Sequence, residues 1–340
     1  MRLDSRPVRV GVLGTGRIGS MHAELLAHRV SGAALGAVYD VDADSAKATA
    51  RRLRVEAAVG PDELIRSDDV DAVAVCTSTD THVELVEAAA AAGKPIFCEK
   101  PISHDLEHVD RALRAVDRAG VPFMVGFNRR FDPAHRAVHA AVASGAVGDV
   151  HLVRITSRDP EPPPLSYARV SGGIFLDMTN HDFDMARFVT RSEVVQVAAH
   201  GAVRVEPEFG EMGDVDTTVV TLVHDDGVLT AIDNSRRAVY GYDQRVEAFG
   251  SAGMAASGNP PAHTGTLSTA GGTSGPGLPY FFLERYTPSY VHEWEAFVEA
   301  ARSGGPSPVP GEAGRAALVV ALAATRSLHS GLPVRVDEIG

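Results

Sequence analysis

Two rhythms of apolar and polar positions run along this chain, and one gives way to the other near residue 125. In the first part, short apolar runs at 8–13, 34–39, 72–76, 95–98 and 122–126 alternate with stretches of helical period, such as 82–92 and 106–119. Gly93 and Gly120 stand just past those two stretches, where helix C-caps favour glycine. The alternation predicts a doubly wound parallel βαβ sheet.

After a helix at about 133–144 the period drops to two, over 150–157, 194–205, 217–224, 228–235 and 244–249. Asp225-Asp226-Gly227 and Ser251-Ala252-Gly253 supply hairpin turns between neighbours. This half reads as a largely antiparallel sheet, interrupted by a helix around Asp177. Residues 258–279, rich in Gly, Pro, Ser and Thr, read as an extended loop or irregular hairpin, and two helices at 289–303 and 311–328 finish the chain. The expected organisation is an α/β chain of two domains, 1–125 and 126–340, with no internal repeat.

Composition narrows what these domains do. A chain of 340 residues with 44% hydrophobic and 22% charged residues is ordinary for a folded soluble protein. A formal net charge of -12 argues against nucleic-acid binding, which needs clustered cationic surface. The apolar run at 316–324 is too short to span a bilayer. No signal peptide is read in the polar opening Met1 to Pro7, which leads straight into the first strand, so the expectation is a cytoplasmic protein. Cys76 and Cys98, the only cysteines, both end strands read as buried and are taken as reduced thiols rather than a disulfide or metal site.

The candidate chemistry lies in three places. Gly14-Thr15-Gly16-Arg17-Ile18-Gly19 follows a strand and opens a helix. Its first glycine permits a tight turn, the second lets backbone approach a pyrophosphate, and the third lets helix pack on strand. Asp40 ends the next strand, where a carboxylate can accept from ribose hydroxyls; the continuation Val41-Asp42-Ala43-Asp44 holds no arginine for a 2′-phosphate. NAD is therefore favoured over NADP. Thr77 and His82 begin the next crossover at the same sheet edge and are read as further cofactor contacts, the alternative for His82 being a structural helix start.

Glu99-Lys100-Pro101 follows the fourth recognisable strand, at that edge again. Lysine occurs only at 47, 94 and 100 among 32 basic residues, so a lysine inside a motif reads as required. Proline keeps Lys100 out of helical geometry. The third place is the run from Gly172-Gly173 to Phe188, where Asp177, His181 and Asp184 stack on one helical stripe. An imidazole oriented by a carboxylate is a proton acceptor, as oxidation of an alcohol requires. No second histidine or cysteine stands at ligand spacing, so no metal is read there. Arg129-Arg130 could pair with these acids or with a polyol.

The glycine loop, Glu99-Lys100-Pro101, Gly126-Phe127-Asn128-Arg129-Arg130-Phe131-Asp132 and Asp177-x-x-x-His181-Asp182 together resemble the Gfo/Idh/MocA oxidoreductase family. Ser157-Arg158-Asp159-Pro160, the block from Ser171 to Phe188, Tyr240-Gly241-Tyr242-Asp243-Gln244 and Phe282-Leu283-Glu284-Arg285-Tyr286 are similar to its inositol 2-dehydrogenase branch. The resemblance implies a Rossmann domain followed by an α/β domain with a large open, mostly antiparallel sheet, whose exposed face makes a homotetramer. It implies that Lys100 hydrogen-bonds the reacting hydroxyl, that His181 takes its proton, and that Asp177 holds the substrate and supports His181. Asn128, Asp159, Asn180 and Tyr242 join them as substrate contacts, and Glu99 and Arg129 join the NAD contacts. The activity implied is NAD-dependent oxidation of the 2-hydroxyl of myo-inositol to a ketone. The alternatives are another cyclic polyol or aldose with the same site, or a cofactor-sensing regulator without catalysis. Asn180 departs from the isoleucine common in that branch, which leaves the polyol open.

Overall fold

The computed structural model describes residues 6–340, so most of the opening segment Met1 to Pro7 lies outside the described residues. The chain divides into two units, one made of the chain through Asn128 together with Ser289–Ala316, the other of Arg129–Pro288 and Ala317–Gly340. The expected boundary at 125/126 is a single cut; this division is interleaved, because the chain returns to the first unit near its end.

The first unit is built on β1 (Val8–Leu13), β2 (Ala33–Tyr39), β3 (Glu56–Ala57), β4 (Ala72–Val75), β5 (Ile96–Cys98) and β6 (Phe123–Val125). They form one parallel sheet in the order β3-β2-β1-β4-β5-β6. The strand order reverses between β1 and β4, and in such sheets ligands bind beyond the carboxyl ends of the strands at that point. Gly14, Asp40, Cys76-Thr77, Glu99-Lys100 and Gly126 all follow carboxyl ends of these strands.

Ser289–Ala316 joins this sheet through aromatic packing. Tyr290, Trp294 and Phe297 are spaced four and three apart, which puts them on one helix face. Trp294 stacks on Phe97 of β5 with ring centroids 4.4 Å apart, and Phe297 meets both rings edge-on. Val309 accepts a backbone hydrogen bond from Val125 at the end of β6 (3.0 Å). The helix itself spans Phe282–Ser303, starting seven residues before the expected position and passing through Pro288.

The second unit carries β7 (Val150–Arg158), β8 (Val194–Ala202), β9 (Thr217–His224), β10 (Leu229–Ser235), β11 (Asp243–Gly250) and β12 (Gly253–Ser257). Farther along come the small hairpin β13 (Leu267–Thr269) and β14 (Gly272–Ser274), then β15 (Val334–Arg335). Its main sheet runs β12-β11-β7-β10-β9-β8-β15, antiparallel except for the pair β7 and β10. That parallel register matches Arg158 with Ser235, so the residues after each strand, Asp159 and Arg236, emerge side by side. The hairpin turns fall where the sequence puts them.

Two expectations are corrected. The strand read over 194–205 stops at Ala202, because the backbone N–H groups of Arg204, Val205 and Glu206 turn onto the Asp216 carboxylate (2.7, 2.8 and 3.0 Å). The single helix read through Asp177 and Asp184 is two, Ile174–Asp177 and Asn180–Thr190. Met178 and Thr179 both close onto the Ile174 carbonyl (2.9 Å each), and the Thr179 hydroxyl bonds Asn234 of β10 (2.7 Å). A tertiary partner thus breaks the helix at Thr179.

Candidate active site

In the first unit the glycine loop has the geometry of an anion cradle. Gly14 has φ +93° and lies so close to the strand β4 exit that a Cβ would meet the Cys76 carbonyl oxygen at 2.6 Å. A Cβ on Gly19 would lie 2.0 Å from the Gly14 carbonyl oxygen, the close helix–strand approach expected of the third glycine. Gly16 differs: a Cβ there would meet nothing within 4 Å. That position faces open space at the start of the helix Arg17–His28, where backbone N–H groups favour phosphate. Arg17 is exposed and Ile18 partly so.

Asp40 ties this loop down. One carboxylate oxygen accepts from the Thr15 backbone N–H (2.5 Å) and hydroxyl (3.0 Å), the other from the Asp42 backbone N–H (2.9 Å). A carboxylate offers about four lone-pair sites, so capacity remains for a ribose hydroxyl. Thr77, just after β4, is partly exposed on the same sheet edge. His82 is buried, with Nδ1 2.9 Å from the Pro101 carbonyl and Nε2 3.1 Å from the Thr77 carbonyl. Burial lowers its pKa, outweighing the two carbonyls, and the ring ties the loop after β4 to the loop that carries Lys100.

Lys100 itself is partly exposed and joined to Pro101 by a cis peptide bond. Its backbone sits at the end of a buried relay. The Trp294 indole N–H, which can only donate, bonds Nδ1 of His22 (2.9 Å). His22 therefore carries its hydrogen on Nε2 and donates it to Glu99 Oε1 (2.8 Å). The other oxygen of Glu99 accepts the Lys100 backbone N–H (3.2 Å). Nearby Glu293 is wholly buried with no hydrogen bond to either carboxyl oxygen among the described residues. Burial, reinforced by the charge of Glu99, pushes its pKa well above the ordinary carboxylate value and so favours the neutral acid. Asn128, the last residue of this unit, is buried with Nδ2 unbonded among the described residues.

In the second unit the three acids of this run, Asp177, Asp182 and Asp184, go to three different arginines. Asp184 is held by Arg130 through a two-pronged pair (2.8 and 2.5 Å), over the ring of Phe188. Asp182 accepts from Arg129 (2.6 Å) and the Ser157 hydroxyl (2.5 Å) on one oxygen and from the Asn234 amide (2.7 Å) on the other. Arg129 is thereby committed to a buried carboxylate. Asp177, on the end of its short helix, accepts from the Tyr167 hydroxyl (2.9 Å) and from Arg236 Nη1 (3.3 Å).

His181 lies in the first turn of the helix Asn180–Thr190, partly exposed, between Thr179 and Asp182, which are both buried and anchored to β10. Asn180 is buried, its amide donating to the Leu176 carbonyl (3.3 Å) while its Oδ1 is unbonded among the described residues. Asp159, at the end of β7, has its pKa pushed up to about 6 by burial and by Asp177, against the opposing pull of Arg236 and Arg129. Tyr242 is buried edge-on to Tyr286, 5.9 Å between centroids, and burial raises its pKa. Asp159, Asp177, Arg129 and Arg236 thus share one electrostatic neighbourhood. Such a set of donors and acceptors matches the many hydroxyls of a polyol.

Arg236 and Asn234 are not among the residues read from the sequence. Both were within reach of it: the period of two along 228–238 puts 230, 232, 234 and 236 on the buried face, and an arginine in a buried phase signals a specific partner.

Residues 8–127 match the oxidoreductase family described as NAD-binding Rossmann fold, and residues 135–256 match the GFO/IDH/MocA C-terminal domain. The chain is 50% identical over 333 residues to the myo-inositol 2-dehydrogenase of Thermotoga maritima, covering 98% of this chain and 99% of that one. It is 46% identical over 321 residues to the inositol 2-dehydrogenase of Rhizobium meliloti, covering 94% and 97%. The crystal structure of scyllo-inositol dehydrogenase from Lactobacillus casei, with bound NAD(H) and scyllo-inositol, superimposes with a TM-score of 0.91 at 28% identity, covering 98% of this chain and 100% of that one. With a glycine loop tied down by Asp40, a cluster of buried acids and arginines in the second unit and both halves of the family matched, the chain belongs to the GFO/IDH/MocA oxidoreductases.

Proposed function

We propose that this protein oxidises the 2-hydroxyl of myo-inositol to the ketone with NAD. The observation that carries the reading is the near full-length 50% identity to a myo-inositol 2-dehydrogenase, with Lys100, Asp177 and His181 all present. The glycine loop fits the cofactor, since Gly14 and Gly19 leave no room for a side chain and Gly16 faces open space. Gly14, Gly16, Arg17, Ile18 and Gly19 would hold the pyrophosphate, and Asp40 the adenosine ribose. Thr77 would line the same edge, with His82 and Glu99 fixing the loops beside it. A carboxylate at Asp40 repels a 2′-phosphate, which supports NAD over NADP.

NAD, when bound, supplies the hydride acceptor. The protein supplies the rest. His181 takes the proton of the reacting hydroxyl, and Lys100 donates a hydrogen bond to the oxygen as negative charge develops on it. Asp177, Asp159, Asn128, Asn180 and Tyr242 hold the ring hydroxyls, and Arg129 holds Asp182 and so the first turn that carries His181. In this reading the first unit, 1–125 in its core, binds the cofactor and the remainder binds substrate. The exposed sheet face, which shows Val219, Leu229 and Phe249 to solvent, supports a homotetramer. No helix among the described residues is long and apolar enough to cross a membrane, and the dependence on NAD supports a cytoplasmic location.

A second reading, oxidation of scyllo-inositol or another cyclic polyol, is favoured by the likeness to the scyllo-inositol enzyme and by Asn180 next to His181. Initial rates of NADH formation against a panel of inositols and aldoses, repeated with NADP, separate the two. Preferred turnover of myo-inositol with NAD is expected. Turnover of a different polyol alone moves the specificity to Asn180 and its neighbours, and no turnover with tight NADH binding removes the catalytic reading.

A further inference from the structure

Arg236 is the most deeply buried cation of the second unit's acid cluster, with 1% of its surface exposed. It occupies the residue after β10, in the buried phase of that strand, and its backbone N–H is fixed on the Asp216 carbonyl (2.9 Å). Its guanidinium lies 5.2 Å over the ring of Phe209. A guanidinium stays charged in any environment, so at this depth it needs anionic partners. Two carboxylates lie close to it, Asp177 at 3.3 Å from Nη1 and Asp214 at 3.8 Å from Nη2, and its charge favours the ionised form of a third, Asp159.

Only the contact with Asp177 is a hydrogen bond. Nε and Nη2 of Arg236, and Oδ2 of Asp214, are buried without hydrogen-bond partners among the described residues. A purely structural arginine at this burial would be expected to fill its five donors. Arg236 instead spends its one direct bond on a carboxylate that the proposed reaction uses. Tyr167 holds the opposite oxygen of that carboxylate, so the two partners together determine the direction in which Asp177 presents itself.

We propose that Arg236 is a positioning residue for polyol binding, acting through Asp177. The proposal rests on the reading that Asp177 holds the polyol. It makes Arg236 specific in its effect: loss of the guanidinium loosens Asp177 and weakens the polyol, while the cofactor site in the other unit is untouched.

The test is a double-mutant cycle with Arg236→Met, which keeps an apolar stem over Phe209, Asp177→Asn, and the pair. Arg236→Lys serves as the conservative rescue and stands in if the Met variant does not fold. Arg236→Met should raise KM for the polyol about tenfold with a smaller drop in kcat, and leave the NADH dissociation constant within twofold. Arg236→Lys should recover part of that loss, and adding Arg236→Met to Asp177→Asn should cost less than a further twofold. Independent effects in the double variant, an equal loss of NADH affinity, or wild-type KM in Arg236→Met overturn the proposal. If the wild-type protein turns over no polyol, the reading of function fails and this role with it. Coupling of the two positions in thermal denaturation would in that case still be measurable, which marks the failure as one of function and not of the Arg236–Asp177 contact.

Discussion

His181 is flanked by two residues that are anchored to the sheet. Thr179 on one side reaches Asn234, and Asp182 on the other reaches Arg129, Ser157 and Asn234. The turn that carries the imidazole thus has anchors on both sides of it. General-base help is worth roughly 10² to 10⁴ in rate, so His181→Ala should lose kcat by about that factor. Its melting temperature and its affinity for NADH should stay at wild-type values. Near-normal turnover in that variant would take His181 out of the mechanism; a collapse of stability would make it a structural residue. At this scale the sequence was a poor guide to pairing. The helical spacing of Asp177, His181 and Asp184 suggested mutual support, yet each acid is taken by its own arginine, 236 for Asp177 and 130 for Asp184. Spacing reports neighbours along a helix, whereas these partners arrive from distant strands and loops.

The elements were legible wherever local period and local turn chemistry agree. The strand–glycine loop–helix unit at 8–28 is such a case, because backbone geometry alone demands glycine at 14 and 19. What failed locally did so through a tertiary hydrogen bond: Asp216 drew the N–H groups of Arg204 and Val205 away from the strand read over 194–205, and Asn234 stopped a helix at Thr179. Short pieces such as β3 and the helix Pro207–Glu211 carry too few residues to show a period. The glycine unit gives a test that separates fold from cofactor binding. Gly19→Ala places a methyl 2.0 Å from the Gly14 carbonyl oxygen and should lower the melting temperature sharply or prevent folding. Gly16→Ala meets nothing within 4 Å and has an ordinary φ of -63°, so it should fold and melt like wild type. It should nevertheless raise the NADH dissociation constant at least tenfold, because the methyl fills the space a phosphate needs. Unchanged NADH binding in Gly16→Ala would show that the phosphate does not approach there.

At the scale of the whole chain, the least legible feature was the return of Ser289–Ala316 to the first unit. A helical period is visible in that segment, but nothing local says which sheet its aromatic face will cover. The same segment delivers Glu293 into an interior with no hydrogen-bond partner among the described residues, next to the charged relay of Glu99. Its folded pKa lies well above the value near 4.5 that it has when the chain unfolds, with burial the larger cause and Glu99 the second. The sign follows directly. The contribution to stability is fully present below the unfolded pKa, and it is lost as pH rises toward the folded pKa, because the unfolded chain then releases a proton that the folded chain keeps. Each pH unit in that window removes up to about 1.4 kcal/mol. Glu293→Gln replaces the neutral acid by a neutral amide of the same shape and carries no such dependence. The variant and the wild type should therefore melt at similar temperatures near pH 4, and the variant should gain on the wild type as pH rises above the unfolded value. Melting temperatures that keep the same difference as pH rises would mean that the Glu293 carboxyl is not held in its neutral form by the fold.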